Sequence, residues 1–442
     1  MNVPTGPRVA YVMKRYPRLT ETFILNEIAT MEGLGANLSL FSLLQPEPPP
    51  HHPMVKEIKA PLHHLPAARG AKVLALLKAH GSCALGAPHR YAHALFRAVY
   101  SSLQSRRPLG VWKQFLRGGF VADRCRRDGV TLIHAHFANA PAAVAWFAST
   151  MSRIPYSFTT HAKDLYLTPP HIMRRRVCGA RFVTTCTRYN ADFLKTIVPV
   201  TAHYKIHLVY HGIDLARFAT REAAVPAQEG RLPIILSVGR LVPKKGLHDL
   251  ISACQMLRQE GIRFRCVIVG EGPLRDTLQA DIARRDLAGL VTLKGAMTHA
   301  DLIAFYREAS IFALSPRIEA DGDRDGIPNV IAEAMATGVP VISTSVSGIP
   351  ELVQNNVTGL LVPSESPTAL ASALRHLLGN PQAGIELARN ARERLEREFD
   401  CRETTKALRD LMAGCACCSG KDKAAAIDLR PRLAGSMAEA AE

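Results

Sequence analysis

Apolar segments typical of buried strands alternate with amphipathic helical segments along this chain, and the alternation occurs twice. The first series of strand segments lies at 8–13, 37–43, 131–136, 156–160, 182–185 and 206–210. A connector at 220–231 separates it from a second series at 232–239, 265–270, 291–293, 311–314 and 341–343. Strands that alternate with helices form parallel sheets covered on both faces. The sequence therefore predicts an α/β fold with two doubly wound domains.

Domain boundaries follow from the same two series. We expect a first domain at 1–215, with a basic helical region at 66–127, and a second domain at 216–395. A chain of 442 residues has enough apolar material for two such cores. Residues 413–442 are rich in glycine and alanine and are predicted to be a disordered tail. Parallel sheets bind ligands at the carboxyl ends of their strands, so we expect the active site in the crevice between the domains.

The segment 315–352 places an acidic loop directly before a helix. Pro328 suits the first helical turn, where its missing N–H breaks no hydrogen bond, and Gly338 suits the residue just past the end. Free backbone N–H groups at a helix start favour anions and sugar oxygens. Asp325 lies in the loop and Glu333 lies eight positions later, inside the helix. These two carboxylates could accept hydrogen bonds from the hydroxyls of a sugar and a ribose.

A basic turn lies where the first strand of the second domain ends. Gly239 permits a tight turn there, and Arg240 and Lys245 place two positive charges at the strand exit. Such cations would stabilise a pyrophosphate leaving group as it gains negative charge. Gly270 and Gly272 end the next strand, where the absence of side chains would let a flat base approach the backbone. A chance basic turn is the alternative, and the Walker phosphate loop of ATPases is absent.

The acid-x7-Glu spacing of Asp325 and Glu333, with the Gly-Arg-x4-Lys-Gly run at 239–246, resembles family-4 glycosyltransferases. Members are retaining enzymes with the GT-B fold, in which two Rossmann-like domains face each other and a C-terminal helix returns to the first domain. The resemblance implies that residues 396–412 form this bracing helix. Asp325 departs from the pattern, because the family usually has glutamate there.

Specific roles follow from this resemblance. Arg240 and Lys245 are expected to hold the pyrophosphate, Glu333 the ribose, and Gly239, Gly270 and Gly272 the nucleotide. Asp325 is expected to bind the donor sugar. It is helped by the backbone of four consecutive residues: Gly326, Ile327, Pro328 and Asn329.

Three candidates come from the first domain. His161 follows the strand 156–160, and the resemblance places it beside the donor sugar and the reactive centre; a structural histidine is the alternative. We expect the side chains of His134 and His136 to alternate across their strand, so that only one faces the crevice, with packing as the favoured role. The loop 16–23 resembles the colanic acid and exopolysaccharide branch, where it lies near donor phosphate and acceptor. Thr20 would also cap the helix at about 20–33.

The acidic loop also allows metal-binding interpretations. The run 321–326 resembles the start of a calcium-binding EF-hand loop, but Ala332 occupies the twelfth position and Pro328 falls inside the loop. Asp321 and Asp323 match the short Asp-x-Asp signature of metal-dependent glycosyltransferases, a pattern common by chance. A solvated acidic turn is the remaining alternative. We expect no metal and no cofactor beyond the nucleotide sugar, which acts as a co-substrate.

Positive charge is concentrated in the first domain. Lysine and arginine exceed aspartate and glutamate by 17, and the segment 69–127 has Asp123 as its one carboxylate. Leucine and aromatic residues are interleaved with these charges, a pattern typical of helices that bind an anionic membrane surface. A solvated basic face is the alternative. No zinc-finger, helix-turn-helix or RNA-binding signature supports nucleic acid as a partner.

The cellular setting is predicted from what the sequence lacks. No apolar run reaches the roughly 18 residues of a membrane-spanning helix, and the first residues lack the apolar stretch of a secretion signal. Ten cysteines lie at irregular spacings, which favours a reducing cytoplasm over a disulfide framework. The cluster at 415–418 is more typical of an oxidisable tail than of a metal site.

Together these features predict a retaining glycosyltransferase that acts in exopolysaccharide biosynthesis. It would transfer a hexose from a nucleotide diphosphate sugar to a lipid-linked polysaccharide precursor at the cytoplasmic face of the plasma membrane. A UDP-sugar is favoured by family frequency alone, and the motifs suit any sugar and acceptor. One alternative is a nucleotide-sugar epimerase on the same fold, and another is a polysaccharide-assembly component without catalytic activity.

Overall fold

The computed structural model describes residues 7–18, 21–48, 52–65, 72–218 and 232–417. Its first half contains these helices and strands: β1 (Arg8–Arg15), α1 (Thr22–Gly33), β2 (Asn37–Leu44), β3 (Leu62–His64), α2 (Lys72–Gly86), α3 (Pro88–Leu103), α4 (Pro108–Arg127), β4 (Leu132–His136), α5 (Ala140–Ser152), β5 (Tyr156–Thr160), α6 (Ala162–Leu167), α7 (Pro170–Gly179), β6 (Val183–Thr185), α8 (Arg188–Ile197) and β7 (Ile206–Leu208). The strands form a seven-stranded sheet in the order β3-β2-β1-β4-β5-β6-β7.

The second half repeats this architecture. It contains β8 (Ile234–Val238), α9 (Leu247–Gln259), β9 (Arg265–Val269), α10 (Arg275–Arg284), β10 (Val291–Gly295), α11 (His299–Glu308), β11 (Ile311–Ala313), α12 (Asn329–Ala336), β12 (Val341–Thr344), α13 (Ile349–Leu352), β13 (Leu360–Val362), α14 (Pro367–Gly379), α15 (Pro381–Glu398) and α16 (Cys401–Cys417). Its sheet has six strands in the order β10-β9-β8-β11-β12-β13. All strand pairs in both sheets are parallel, which confirms the predicted α/β class.

The central strands are buried along their whole length because helices cover both faces of each sheet. Every residue of β4, β5 and β12 is buried, as expected for parallel strands rich in β-branched and aromatic residues. Separate apolar clusters lie on the two faces of the first sheet, and one large cluster fills the second domain. Two independent cores therefore hold the two domains.

Two strands and one helix break are absent from the sequence prediction. β3 and β13 are three residues long and lie at the edges of their sheets. The helical pattern at 381–412 divides into α15 and α16 because the chain crosses back to the first domain between them. There the Ile213 N–H donates to the Phe399 carbonyl at 2.8 Å, and the Cys401 N–H donates to the Ile213 carbonyl at 3.0 Å.

The helix α16 packs against the first domain. Leu408, Leu411 and Met412 belong to the apolar cluster formed by β1, α1 and β2, and the Cys401 thiol lies 3.3 Å from the Thr30 hydroxyl. The helix continues to Cys417, so residues 413–417 are helical where the sequence analysis expected a disordered tail. Residues 418–442, which include Cys418, lie outside the described part of the chain, as does Thr20. The helix α1 begins at Thr22, two residues later than predicted.

The basic region 66–127 contains the three helices α2, α3 and α4 where it is described. Its surface combines cations with apolar side chains that have no cover in the structure: Leu77 is 64% exposed, Phe96 67% and Leu103 81%. In the ranges that the structure describes, no helix has both the length and the apolar character needed to cross a membrane. This surface is the largest departure from an ordinary polar exterior in the first domain.

Candidate functional site

Both sheets reverse their strand order at one point, and the candidate residues lie at those points. In the second sheet β8 has β9 on one side and β11 on the other, so the loops that follow β8 and β11 leave the same edge and diverge. In the first sheet the same reversal occurs at β1, which lies between β2 and β4. Such reversals open a crevice at the carboxyl ends of parallel strands. The fold therefore brings 239–246 and 323–329 together, although about eighty residues separate them.

Lysine and aspartate side chains form a network between the loops of the second domain. The Lys245 ammonium lies 2.6 Å from one carboxylate oxygen of Asp325, and that of Lys244 lies 3.2 Å from the other. Lys244 also pairs with Asp323 at 3.0 Å. Lys163, from the first domain, pairs with the second oxygen of Asp323 at 3.0 Å. One network thus includes the phosphate-binding candidate Lys245 and, through Lys163, crosses the crevice to the first domain.

The protonation of Asp325 depends on this network. Burial alone would raise its pKa, but Lys245 and Lys244 lower the pKa below the ordinary aspartate value. Asp325 is therefore ionised at neutral pH and compensates two lysines that are each less than 10% exposed. An incoming phosphate could replace the aspartate as partner of Lys245 without leaving a buried charge unpaired. The sequence analysis assigned a role to Lys245 but none to Lys244, because two adjacent lysines are not a motif by themselves.

Gly239 and Arg240 occupy the turn that follows β8. A side chain at Gly239 would lie 3.4 Å from the Cε atom of Lys245, an ordinary contact distance, so the lysine side chain runs alongside this turn. Arg240 is exposed, and among the described residues it forms no ion pair. Its guanidinium is consequently available to a ligand at the mouth of the crevice, whereas Lys245 is held further inside.

Gly270 and Gly272 are explained by the packing of two loops. A side chain at Gly270 would lie 1.9 Å from the Gly239 carbonyl oxygen, and one at Gly272 would lie 2.4 Å from that of Leu241. Gly270 also has a positive φ of 146°. Hydrogen bonds then join the loops: the Gly239 N–H donates to Val269, and the Leu241 N–H donates to Glu271, both at 3.0 Å. Both glycines therefore set the position of the basic turn, a role the sequence analysis did not foresee.

The helix after the acidic loop starts as predicted. Pro328 occupies the cap position of α12, and Gly338 follows its end with a φ of 76°. Glu333 is 8% exposed and accepts a hydrogen bond from the Tyr306 hydroxyl at 3.0 Å. Burial raises the pKa of Glu333 to about 7, although the Tyr306 hydrogen bond opposes this. Near neutral pH this carboxyl can therefore either donate or accept.

Glu333 faces a cleft between the domains that encloses about 450 Å³, open to solvent. The second domain also contributes Asn329, and the first domain contributes Phe23 and His211. The Phe23 and His211 rings stack with centroids 4.3 Å apart. Gly326, from the sugar-binding candidates, lies against Cys186: a side chain there would be 3.7 Å from the cysteine sulfur. Ile327 lies beside Gly348 in the same way, at 3.2 Å. The helix α12 thus forms one wall of the cleft, and the end of the acidic loop packs against the first domain beside Cys186.

His161 lies at the end of β5 and begins α6. Its N–H donates to the Asp164 carboxylate at 3.0 Å, but neither ring nitrogen has a hydrogen-bond partner among the described residues. Burial, together with His211, His136 and His134, lowers the pKa of His161 well below its ordinary value. Burial likewise lowers the pKa of His211 to about 4. Both imidazoles are therefore uncharged at neutral pH.

The prediction that only one of His134 and His136 faces the crevice is wrong in its geometry. Residues two apart on a strand share a face, and the two rings lie 5.3 Å apart. His134 is held at both nitrogens by the Ser157 and Thr159 hydroxyls, at 2.8 and 3.0 Å. Burial lowers the pKa of His134 to about 3. His136 lies 3.2 Å from the Glu27 carboxylate. The expected packing role fits His134.

Two clusters of three side chains contain residue types that commonly bind metal ions. Ligand atoms of His161, Cys186 and His211 lie within 4.8 Å of one another, and so do those of Glu27, His134 and His136. Burial raises the pKa of the Cys186 thiol to about 12, so without a cation it stays protonated. In the second group both nitrogens of His134 already have partners. Both groups belong to the first domain, whereas the Asp-x-Asp run belongs to the second.

Glu351, which the sequence analysis missed, connects the domains. Its carboxylate accepts hydrogen bonds from the backbone N–H groups of Arg188 and Tyr189, at 2.7 and 2.8 Å, where α8 begins. It also accepts one from the Tyr210 hydroxyl at 2.9 Å. A carboxylate at a helix start is favoured by the free N–H groups and the helix dipole. A glutamate in an apolar helical run gives no signal in the sequence that its partner lies in the other domain.

Comparison with known proteins agrees with this geometry. Residues 220–395 match the family model described as glycosyl transferases group 1. The chain contains a glycosyltransferase group 1 domain. All candidate residues of the second domain, from Gly239 to Glu333, lie inside the matched range.

Two curated relatives of the chain are named for the biosynthesis of colanic acid and amylovoran. The chain is 38% identical over 212 residues to the putative colanic acid biosynthesis glycosyltransferase WcaL of Escherichia coli, which is 47% of this chain and 51% of WcaL. It is 39% identical over 196 residues to the amylovoran biosynthesis glycosyltransferase AmsK of Erwinia amylovora, which is 44% and 47% of the two chains. The aligned part thus spans about half the length of these relatives.

Solved structures resemble the chain over most of its length. Alr3699/HepE of Anabaena, in complex with UDP, superimposes with a TM-score of 0.69 at 17% identity, covering 92% of this chain and 100% of that one. Sucrose-phosphate synthase of Thermosynechococcus elongatus gives 0.67 at 18% identity, covering 92% and 98%. At these identities the likeness shows the fold. It confirms the predicted GT-B architecture of two facing Rossmann-like domains around the glycosyltransferase crevice.

Proposed function

We propose that this protein is a retaining glycosyltransferase that transfers a hexose from a nucleotide diphosphate sugar to a lipid-linked precursor in exopolysaccharide biosynthesis. Two observations carry the proposal, both inside a domain of matching family: Lys245 pairs with Asp325 at 2.6 Å on the loop before α12, and Glu333 of α12 lines the cleft between the domains. The names of WcaL and AmsK support exopolysaccharide biosynthesis as the setting. The UDP bound to Alr3699/HepE supports a nucleoside diphosphate as the leaving group.

Each charged residue would bind a different part of the donor. Lys245 and the exposed Arg240 would bind the diphosphate, where negative charge grows as the bond to the sugar breaks. Glu333 would accept hydrogen bonds from the ribose hydroxyls. Asp325, freed from Lys245 by the phosphate, would accept from a hydroxyl of the sugar, with the backbone of 326–329 at the start of α12 beside it.

The same residues suggest how configuration is retained. The bond from the anomeric carbon to the phosphate oxygen breaks, and the acceptor oxygen forms its bond on the same face of the sugar. The proton of the acceptor hydroxyl passes to the departing phosphate. His161 would contribute a neutral imidazole beside the reactive centre, because its ring nitrogens are unoccupied by the described residues and its pKa is lowered by burial.

We propose that this chemistry needs no metal ion. Each oxygen of Asp323 is held by a lysine, Lys244 or Lys163, at 3.0 Å. A divalent cation at the Asp-x-Asp run would have to displace both lysines, and it would lie close to their charges. Lysine and arginine therefore supply the positive charge that a cation provides in metal-dependent enzymes. Transfer that is unchanged by EDTA would support this point, and loss of transfer restored by a divalent cation would oppose it.

We propose that the exposed surface of α2 and α3 binds an anionic membrane. The helices α2 and α3 expose Leu77, Phe96 and Leu103 beside Lys78 and Arg90. Apolar side chains insert into the interfacial zone of a bilayer while cations contact the headgroups. This surface would hold the first domain against the cytoplasmic face, where lipid-linked acceptors are presented. Replacing Phe96 and Leu103 with serine should reduce binding to vesicles that contain phosphatidylglycerol.

A donor panel tests the proposal. The purified chain is incubated with individual UDP-, GDP- and dTDP-sugars and a membrane lipid extract, and released nucleotide and labelled lipid are measured together. We expect one donor to give nucleotide release that requires the lipid. The Arg240→Ala variant should reduce that release by about 10²–10³.

Two outcomes would contradict the proposal. Conversion of the donor into an epimeric nucleotide sugar without lipid would identify an epimerase. Tight nucleotide-sugar binding without turnover, unaffected by Arg240→Ala, would identify an assembly component instead. An Asp325→Glu variant is the matched probe of the departure from the family motif, and a gain of turnover would show that the shorter side chain limits the rate.

A further inference from the structure

A second cavity opens in the first domain, among α3, α4, α5 and α7. Its volume is about 510 Å³, which includes solvent-open space at its mouth. It shares no lining residue with the cleft that contains Glu333. One wall is apolar and includes Trp146 and Phe147. The opposite wall carries Arg175, Arg176 and His171. The proposed transfer reaction uses none of these residues.

Positive charge in this cavity is not matched by carboxylates. The helices α3, α5 and α7 contain no aspartate or glutamate, and within the described ranges no acidic side chain lines the cavity. The Arg175 guanidinium donates to the Ser101 hydroxyl at 3.0 Å and to the Gln104 side-chain oxygen at 2.9 Å. It also lies 5.4 Å from the centre of the Tyr100 ring. All three partners are neutral, so the arginine is oriented but its charge is not compensated.

Arg176 supplies a second positive charge to this cavity, and a hydrogen bond holds its guanidinium in place. Its guanidinium donates to the Ala138 carbonyl, and the Ala138 N–H donates to the Asp164 carboxylate at 2.5 Å. Burial lowers the pKa of Arg176 to about 10, so it remains charged at neutral pH. A buried cation is costly unless an anion or a set of hydrogen bonds compensates it. Tyr156 and the Asp164 carboxylate act on Arg176 from outside the cavity lining. An anionic ligand would therefore chiefly compensate the charge of Arg175.

The mouth of the cavity borders the exposed apolar surface. Ser101, Gln104 and Ser105 line it from the end of α3. On the same helix end Tyr100 is 47% exposed and Leu103 81%. A ligand whose anionic group enters the cavity would therefore place an attached hydrocarbon chain against apolar side chains rather than in water.

We propose that this cavity binds the phosphate group of an anionic lipid, with Arg175 as the phosphate ligand and the lipid chain lying along α3. Guanidinium groups bind phosphate through paired N–H donors, and a planar arginine already oriented by Ser101 and Gln104 loses little freedom on binding. The phosphate belongs either to a membrane phospholipid or to the lipid-linked acceptor. The inference rests on the membrane half of the proposed function, and it is independent of which sugar is transferred.

A neighbouring arginine provides the matched control. Arg174 lies on the same helix with the same charge, is exposed, donates to the Ile197 carbonyl at 2.9 Å and does not line the cavity. The full chain and its Arg174→Ala and Arg175→Ala variants are compared in binding to phosphatidylcholine vesicles with and without phosphatidylglycerol. We expect Arg175→Ala to weaken binding to the anionic vesicles about tenfold, as for loss of a charge-assisted hydrogen bond, and Arg174→Ala less than twofold.

Equal losses in the two variants would overturn the cavity site, since only general surface charge would then matter. They would leave the membrane proposal standing. Loss of vesicle binding in the Phe96→Ser, Leu103→Ser variant, with both arginine variants unaffected, would likewise overturn the cavity site alone. If none of the variants binds vesicles less well, both proposals fail. Circular dichroism of each variant confirms that the fold is intact.

Soluble probes identify the source of the phosphate. Dihexanoyl phosphatidylglycerol, farnesyl phosphate and inorganic phosphate are titrated into the full chain while intrinsic tryptophan fluorescence is recorded, because Trp146 lines the cavity. Tighter binding of the glycerolipid identifies a phospholipid site, and tighter binding of farnesyl phosphate identifies an acceptor site. Inorganic phosphate binding as tightly as both lipids would overturn the lipid assignment. Arg175→Lys, which keeps the charge without the planar fork, should bind with intermediate affinity.

Discussion

The two walls of the crevice use opposite electrostatics. The second domain presents ionised groups: Lys244 and Lys245 are buried against Asp325, whose pKa they lower. The first domain presents imidazoles that burial keeps uncharged, with the pKa of His211 lowered to about 4 and that of His161 well below its ordinary value. The difference separates two tasks. One wall can stabilise a diphosphate, and the other can approach a sugar and an acceptor without attracting that diphosphate.

The largest test of this contrast is to remove a cation from the charged wall. Lys245→Met should lower the turnover of the transferase by about 10²–10³, because the ammonium would stabilise charge that develops in the transition state. Lys294→Met is the control, since Lys294 is exposed on β10. Rates are measured with saturating donor. A loss confined to donor affinity would show that the charged wall binds the donor without acting in the chemical step.

The next test concerns Glu333, whose carboxyl accepts a hydrogen bond from the Tyr306 hydroxyl. Glu333→Gln should weaken donor binding by a factor of about 10–100, the value of a hydrogen bond to a charged group. Because the pKa of Glu333 is raised by burial to about 7, the wild-type carboxyl is protonated below that pH and ionised above it. Donor affinity should therefore rise with pH across about pH 6–8. Calorimetry on Glu333→Gln should show no such rise; a rise that persists would assign the titration to another group.

A stability measurement tests whether the charged wall is rigid. Gly270→Ala places a methyl group within 1.9 Å of the Gly239 carbonyl and forces an unfavourable φ, so unfolding free energy should fall by about 1–3 kcal/mol. Gly289→Ala is the comparison, because a side chain there meets nothing within 4 Å. Denaturant midpoints of the two variants give the difference. Equal midpoints would show that the two loops can separate without loss of stability.

The smallest effect is expected on the neutral wall. His161→Asn should reduce turnover by about 3–10-fold, the range for loss of one uncharged hydrogen bond. Since burial lowers the pKa of His161 well below its ordinary value, its ionisation should leave no step in the pH–rate profile near pH 6.5. A step there that disappears in His161→Asn would show that this histidine is charged during turnover, and the contrast between the walls would then not hold.

The sequence predicted the fold well because its signals are local. Buried parallel strands such as β5 are short runs rich in aromatic and β-branched residues, and the bounds predicted for β5 match the structure residue by residue. Gly239, Asp325 and Glu333 were found because each belongs to a motif of fixed spacing. The strands β3 and β13, which lie at the edges of their sheets, were missed; β3 has two histidines among its three residues and does not form an apolar run.

Partners across the crevice could not be predicted in the same way. Glu351 contacts Arg188 across 163 positions, and Lys163 contacts Asp323 across 160. No spacing rule joins such pairs, because sheet order and domain closure decide which loops meet. The histidine pair was misjudged for a simpler reason: residues two apart on a strand share a face. The two glycines after β9 were located correctly, but their main contact is with another loop, which only packing reveals.

The return of α16 to the first domain has a consequence for engineering. Leu408, Leu411 and Met412 cover the side of β1 and α1, although they follow the whole second domain in the chain. A hybrid protein that receives a foreign second domain must therefore keep its own α16, residues 401–417. If the junction is drawn simply at the connector, the first domain receives a mismatched final helix and exposes Ile28 and Met31, which promotes aggregation.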